Sequence, residues 1–287
     1  MAVKQKKIKD SCKLLWPNST SFDKLCLIVT DGAYYMAKAI RHIKQNDLMF
    51  KNVLHVKCLA HMMHNVSELI RNSFPLVDKY MSNMKKFLLK SHGRRKDFLL
   101  ITKIDSLPPE PVLTRWGTWL KAAEYYFKNY DCIRQFILKY TQHSEAQSKD
   151  ELDKLLTKQN DELIADFVNL SGFFKLYSLI EKLESRNLTI EEQYGYVNEL
   201  QNDILDGNEK LQDYVKERLK NNPDIDQIMS KRNKQLSVVN DFKFAPLVSV
   251  DVERSFSLFK DLLTPKRTSL GESSLSQLMF LKYNRTM

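Results

Sequence analysis

The sequence predicts an α+β protein in which helices predominate. Glycine is scarce, with 7 among 287 residues, whereas lysine, leucine and glutamate are plentiful. Two short runs rich in β-prone residues lie within residues 25–58, and helical spacing of apolar residues continues from residue 130 to residue 235. We therefore expect a small number of strands near the start of the chain and helices in the remainder.

The first strand is predicted at residues 25–29, where an apolar run ends before Asp31. Apolar residues then recur at helical spacing, so the pattern is strand, turn and helix: Met36, Ile40 and Ile43. A second strand at residues 53–58 runs directly into another helix. Consecutive strand–helix–strand units form parallel pairs with a right-handed crossover, so we expect such a pair here.

The remaining elements are predicted to be helices. Helical spacing covers residues 74–103 and stops at the proline-rich residues 107–111. Residues 113–119 then open a long helix through Tyr126 and Phe127. Two final helices are predicted at residues 250–263 and 274–284, and residues 1–23 are predicted to lack a defined element. These borders predict three parts of the chain: residues 1–110, 111–240 and 241–287.

The charge of the chain is unevenly distributed. Residues 51–103 contain 11 Lys or Arg and 3 Asp or Glu, whereas residues 145–226 contain 10 and 19. Phosphate groups are attracted by the first block and repelled by the second. If nucleic acid binds, we therefore expect it to bind the first block, above all the basic helix at residues 79–96. Such a basic face can also be simply solvated.

Composition argues against two other classes of protein. No apolar run approaches the length of a membrane span, so we expect no membrane contact. The four cysteines are far apart and form no C-x-x-C pair: Cys12, Cys26, Cys58 and Cys132. This spacing indicates a reducing compartment rather than a disulfide framework.

Asp31 and Glu253 are the candidate acidic site residues. Asp31 follows a strand, and ligands collect at the carboxyl ends of strands in open α/β sheets. It could cap the next helix instead. Glu253 lies beside the apolar face of the helix at residues 250–263, where the helix dipole alone favours a first-turn glutamate. Metal-assisted phosphoryl transfer needs several carboxylate oxygens, so each residue matters only together with others.

Four further positions carry weaker indications. Cys58 and His61 have the spacing of a zinc-ligand pair, but no second pair completes a four-ligand site, and His61 is better interpreted as a polar side chain near Asp31. Arg115 and Trp116 follow a proline break, where a tryptophan can stack on a base or belong to the core. The cations of the basic helix that we single out as DNA-binding candidates are Lys85, Lys86, Arg94 and Arg95.

Together, four motifs in order resemble those of hAT-superfamily transposases and their domesticated relatives. They are Thr30-Asp31-Gly32-Ala33, Cys58-Leu59-Ala60-His61, Thr114-Arg115-Trp116 and Glu253-Arg254-Ser255-Phe256-Ser257. The resemblance extends over nearly the whole chain. It implies an RNase H-like α/β core interrupted by a long all-helical insertion, with a dimerisation region at the C-terminal end. Self-association through that region, DNA as a partner and a nuclear location are expected on the same basis.

The resemblance also implies roles for single residues. The family's chemistry uses three acidic residues with a divalent metal, Mg²⁺ or Mn²⁺, and Asp31 and Glu253 match the second and the third. Cys58 and His61 match a C-x-x-H pair near the active site. Trp116 matches a tryptophan that handles a flipped base at the cut end of the DNA.

One departure from the family pattern decides the expected activity. The first acidic residue of the family lies on the first strand, ahead of three antiparallel strands and a helix, and three such strands with a helix and their turns require roughly 35–40 residues. Thirty residues precede Asp31, and neither Asp10 nor Asp23 lies in a strand pattern. We therefore expect a truncated core with an exposed sheet edge, and a protein that is catalytically incomplete.

Two alternatives remain open from the sequence. The protein could be an active metal-dependent transposase or nuclease if a first catalytic aspartate is supplied from elsewhere. It could also be a pure protein-interaction module in which the carboxylates are vestigial.

Overall fold

Helices dominate the structure, which confirms the predicted class at the level of secondary structure. The computed structural model describes residues 2–15, 25–111, 117–140, 147–229, 243–263 and 271–285. The elements of the first 73 residues are α1 (Ala2–Leu15), β1 (Leu27–Thr30), α2 (Tyr34–Asn46), β2 (Leu54–Lys57) and α3 (Leu59–Ser73).

Ten α-helices follow α3 in the described residues up to Met229. They are α4 (Pro75–Leu89), α5 (His92–Thr102), α6 (Thr118–Lys128), α7 (Tyr130–Tyr140), α8 (Gln147–Lys158), α9 (Asn160–Ser171), α10 (Lys175–Leu183), α11 (Ile190–Glu199), α12 (Glu209–Lys220) and α13 (Ile225–Met229). Two more helices close the chain: α14 (Val250–Leu262) and α15 (Glu272–Arg285).

The two strands pair in parallel, as the strand–helix–strand pattern predicted. Leu27 lies opposite Leu54 and Thr30 opposite Lys57, and no third strand is present in the described ranges. The side chains of β2 are mostly buried, whereas those of β1 are mostly only half-buried. Within the described residues the sheet is thus much smaller than a complete doubly wound sheet.

Two predictions about the elements are wrong. Residues 1–23 were expected to lack a defined element, but they contain α1, which packs on α2 through Ile8 and the buried Cys12. Residues 74–103 were expected to be continuously helical, but the helix stops near Lys90. Ser91 then caps a new helix, because its hydroxyl oxygen accepts the Arg94 backbone N–H at 3.3 Å.

The described chain forms two compact units. We call residues Met1–Ala60 with Asn222–Met287 the sheet unit, and residues His61–Asn221 the helical unit. The sequence instead placed borders at residues 110 and 240. Residue 240 lies outside the described residues, whereas the border near residue 60 falls inside α3. Within the helical unit, α4 packs on α8 and α9.

The core of the helical unit is built on aromatic rings around α4. Tyr80 contacts Tyr126, Tyr130 and Phe167 at ring-centroid distances of 5.7, 6.1 and 6.0 Å. A second group lies at the other end of the helix, where Phe87 and Phe98 both pack on Phe136. These rings join α4 to the helices on either side and keep its exposed face in a fixed position.

One stretch, Asn160–Leu183, is long and apolar enough to cross a membrane by length and composition alone. This is weak support for a membrane span, because core helices of soluble proteins pass the same test. The stretch comprises α9 and α10, and it places Phe167 and Leu170 in the core of the helical unit. The described residues therefore give no strong membrane signal.

Candidate functional site

The carboxyl ends of both strands meet the segment that opens α14. The Cys58 backbone N–H donates to the Thr30 carbonyl oxygen at 2.7 Å, and the Ser249 N–H donates to Cys58 Sγ at 3.2 Å. The Leu59 N–H donates to the Leu247 carbonyl oxygen at 3.0 Å. These bonds connect the residue before Asp31 to the residues that precede the Glu253 helix, within the sheet unit.

Asp31 is exposed at the end of β1. Its Oδ1 accepts the Ala33 backbone N–H at 3.2 Å, which stabilises the turn into α2. Asp31 thus closes a turn and does not cap α2, because the N-cap residue of α2 is Ala33 and no side-chain hydrogen bond caps this helix. One carboxylate oxygen of Asp31 is engaged in the turn. The side chain remains accessible to solvent.

Glu253 is also exposed, in the first turn of α14. Its backbone N–H donates to the Ser249 carbonyl oxygen at 3.3 Å, so the start of the helix fixes its position. The neighbouring Asp251 instead pairs with Arg254, with Oδ1 at 3.3 Å from Nη1. Glu253 is thus placed on the helix whose start is bonded to Cys58.

No group of three or more His, Cys, Asp or Glu that could hold a metal ion occurs among the described residues. Asp31 and Glu253 are two carboxylates, whereas Mg²⁺ or Mn²⁺ in a phosphoryl-transfer site takes several oxygen ligands from the protein and substrate. The donor set in the described part of the chain therefore does not fit a complete metal site.

Cys58 and His61 have different environments. Cys58 is buried, with a relative exposure of 2%, and its sulfur accepts the Ser249 N–H. This thiol has a structural role, because it holds the start of α14 at the sheet. His61 is half-buried on α3, one turn before His64. Burial lowers the pKa of His64, which favours its neutral form.

His55 is a buried residue of the sheet that sequence reasoning missed. Its Nε2 lies 2.9 Å from the Thr30 hydroxyl oxygen, directly before Asp31. Burial is the main cause that lowers the pKa of His55 to about 4, and Lys44, Lys57 and Arg41 lower it further, while Asp224 opposes them. The imidazole is therefore neutral at pH 7. The alternating apolar pattern of the second strand did not predict the hydrogen bond between His55 and Thr30.

The outer edge of β2 is closed by side chains from far along the sequence. Asp224 Oδ2 accepts the His55 N–H and Lys44 Nζ, each at 2.8 Å. The Asn222 side chain accepts the Lys57 N–H at 2.8 Å and donates to the Lys57 carbonyl at 3.0 Å. We call Asn222 and Asp224 the β2 cap, because they replace the bonds of a further strand.

The basic helix predicted at residues 79–96 is partly neutralised by folding. Lys79 Nζ lies 2.7 Å from Glu151 and Lys85 Nζ lies 2.8 Å from Glu110. Arg94 stacks on the Phe87 ring at 4.5 Å, and Arg95 lines a small cavity. Among the predicted DNA-binding cations, Lys85, Arg94 and Arg95 are therefore half-buried or paired, which reduces their availability to phosphate.

Lys86 and Lys90 are the accessible cations of this surface. Lys86 is exposed on α4 and Lys90 is exposed directly after its last residue, and no carboxylate partner for either occurs in the described ranges. They line an open groove of about 830 Å³ on the helical unit, together with Lys79, Asn72 and Asn83. The groove also contains the acidic residues Glu68, Asp78 and Glu151. Its positive charge is thus concentrated at the Lys86–Lys90 end.

Arg115 and Trp116, the remaining predicted site residues, lie outside the described residues. Their neighbour Trp119 is described and is buried in the helical unit, where its indole N–H donates to Asp78 Oδ1 at 2.8 Å. Arg71 Nε bonds to the same oxygen at 2.9 Å.

Fold and site together define a helix-rich protein with a small parallel sheet that has Asp31 at its carboxyl end. Comparison with known proteins adds no family to this description, because no family model matches the chain and no curated protein matches it.

Proposed function

We propose that this chain is a catalytically incomplete relative of hAT-superfamily transposases that binds DNA through the groove on α4. The observation that carries the proposal is the position of the motifs in the sheet unit. Thr30 is the last residue of β1, Cys58 directly follows β2, and Glu253 lies in the first turn of α14. The bonds from Cys58 to Thr30 and Ser249 join those places.

The proposed DNA-binding surface rests on Lys86 and Lys90. Contacts between lysines and phosphates release counterions, so the affinity should fall steeply with salt and depend little on sequence. The acidic block at residues 145–226 argues against a second DNA-binding surface there. We propose a nuclear location on the same basis, because the DNA partner of the protein would be chromosomal DNA.

A direct test is the binding of a fluorescently labelled 20-base-pair duplex to the full chain between 50 and 200 mM salt. The Lys86→Gln/Lys90→Gln variant should bind roughly tenfold more weakly. Its slope of log affinity against log salt should be shallower by about 2, because two phosphate contacts are removed.

The matched control is Lys210→Gln/Lys220→Gln, which removes two exposed lysines of α12 from the acidic block. This variant should keep the original affinity and slope. Equal losses in both double variants would show that net charge alone drives binding, and salt-independent binding would contradict the proposed surface.

Self-association is a second proposed activity, and it is favoured by a separate observation. Helices α14 and α15 pack on each other and expose large apolar side chains. Phe256 and Phe280 are 57% and 69% exposed, and Val252 and Leu281 are more than half exposed. Exposed apolar clusters of this kind mark protein–protein interfaces. We propose that a second copy of the chain covers this surface, which matches the dimerisation region implied by the resemblance.

Sedimentation velocity can test this second proposal. Phe256→Ser/Phe280→Ser should weaken the dimer by at least 100-fold, since buried aromatic residues dominate interface energies. The control variant Leu100→Ser/Val168→Ser changes two exposed apolar residues of the helical unit, which are 65% and 55% exposed. It should leave the dimer intact. A monomeric starting protein would refute self-association.

A further inference from the structure

A small cavity of about 260 Å³ lies on the helical unit beside α4. Its floor contains buried side chains that are 3–5% exposed: Trp119, Tyr126, Met81 and Leu88. One wall is the proline-rich segment at residues 107–111, which the sequence identified only as a helix break. The cavity is smaller than the roughly 300–1,000 Å³ of drug-sized sites. A single flat ring system fits these dimensions and this lining.

The charged groups of the cavity are three cations and two carboxylates. Arg71 bonds to Asp78 and Lys85 bonds to Glu110, so both carboxylates have a cation partner inside the cavity. Arg95 differs from the other two cations. Its Nε is buried without a hydrogen-bond partner among the described residues, and no carboxylate there pairs with its side chain. Because Arg95 lines the cavity, an anion bound in the cavity would supply the opposite charge that its guanidinium group lacks.

We propose that this cavity binds a small aromatic anion, with the ring against the Trp119–Tyr126 floor and the anionic group at Arg95. Neither the motifs nor the proposed DNA surface requires this site. Two kinds of compound share the required chemistry: an aromatic carboxylate and a nucleoside monophosphate. For a ligand of about 13 non-hydrogen atoms with the affinity per atom that is typical of drug-sized ligands, the expected Kd is on the order of 1 mM.

The indole N–H of Trp119 provides a local probe, because it donates to Asp78 at the cavity floor. The chain has three tryptophans, so the ¹H–¹⁵N spectrum should contain three indole signals, and Trp119→Phe identifies the relevant one. Indole-3-acetate should shift this signal saturably. Neutral indole-3-acetamide should bind at least tenfold more weakly, because it lacks the charge that pairs with Arg95.

Arg95→Gln should abolish most of this tenfold preference, while Arg95→Lys should retain part of it. Arg134→Gln is the matched control, since Arg134 is also half-buried with an unpartnered Nε in the described structure but lies outside the cavity. It should bind as the wild type does. An unperturbed Trp119 signal in the unliganded variants verifies that they are folded.

A parallel titration with AMP distinguishes the two sources of the anion. Tighter binding of AMP would indicate that the cavity takes a phosphate-bearing ligand. Tighter binding of indole-3-acetate would indicate a carboxylate ligand. In both cases the binding should depend on Arg95. The proposal is overturned if neither compound shifts the Trp119 signal saturably. Equal binding of the acetate and the acetamide, or an unchanged preference in Arg95→Gln, would also overturn it.

Discussion

At the scale of single residues, the buried hydroxyl group of Tyr80 lowers the stability of the core. Its side chain is fully buried among aromatic rings, and its hydroxyl group has no hydrogen-bond partner in the described part of the chain. Burial raises the pKa of Tyr80 well above its usual range, so the hydroxyl stays protonated. Tyr80→Phe keeps the ring and removes the unsatisfied group. It should raise the free energy of unfolding by about 1–2 kcal/mol in urea denaturation.

Tyr130→Phe is the matched comparison, because Tyr130 belongs to the same cluster but its hydroxyl donates to Asn160 Oδ1 at 2.8 Å. Loss of that bond should lower the free energy of unfolding by about 1 kcal/mol. Destabilisation of similar size in both variants would show that the Tyr80 hydroxyl is satisfied after all.

His55 should make stability depend on pH. The pKa of this residue is lowered from 6.5 to about 4 in the folded protein, mainly by burial. Below pH 6.5 the His55 imidazole therefore binds a proton in the unfolded chain but stays neutral in the folded chain until the pH approaches 4. The contribution of His55 to stability is complete above pH 6.5 and decreases as the pH falls towards 4, by on the order of 3 kcal/mol in total.

The measurement is the free energy of unfolding between pH 4 and 7.5 for wild type and His55→Gln. The difference between the two proteins should shrink as the pH falls. His42→Gln, which changes an exposed histidine of α2, should follow the wild-type curve. A constant difference between wild type and His55→Gln would contradict a neutral buried imidazole.

At the scale of elements, the β2 cap is the least expected feature. A strand at the edge of a sheet has unpaired backbone groups, and here Asn222 and Asp224 pair them for Lys57 and His55. Asn222→Ala would leave the Lys57 N–H and carbonyl without these partners. We expect the free energy of unfolding to fall by about 1–3 kcal/mol in urea denaturation.

Asn202→Ala provides the control for the cap, because Asn202 is exposed and its side chain makes no bond to the sheet in the described structure. That variant should change the free energy of unfolding by less than about 0.5 kcal/mol. A comparably small effect of Asn222→Ala would show that solvent replaces the cap without cost.

The elements that the sequence predicted well are those with local signals. The pattern from β1 to α3 follows from apolar runs and helical spacing within about 50 residues. The cap could not be predicted in this way, since Asn222 and Lys57 are 165 residues apart and bond through a side chain. The helix α1 was missed because its apolar contact rests on two residues, Ile8 and Cys12, among many lysines.

At the scale of the whole molecule, folding pairs several cations of the basic block with carboxylates, so fewer of them are available to bind phosphate. The sequence located a basic block correctly, but it could not show that Glu110 and Glu151 approach Lys85 and Lys79. Predictions of the site from residue type alone therefore included cations that are paired or stacked. The helical position of Lys86 and Lys90 was predictable, whereas their isolation from carboxylates depends on tertiary packing.

The central claim is that the protein binds DNA without cutting it. The most direct test is a titration of Mg²⁺ or Mn²⁺ into the full chain with labelled DNA, in which DNA binding and nicking are followed together. We predict binding that is lost at high salt and no nicking at any metal concentration. Metal-dependent nicking that disappears in both Asp31→Ala and Glu253→Ala would contradict the claim, and it would require a third ligand in addition to these two carboxylates.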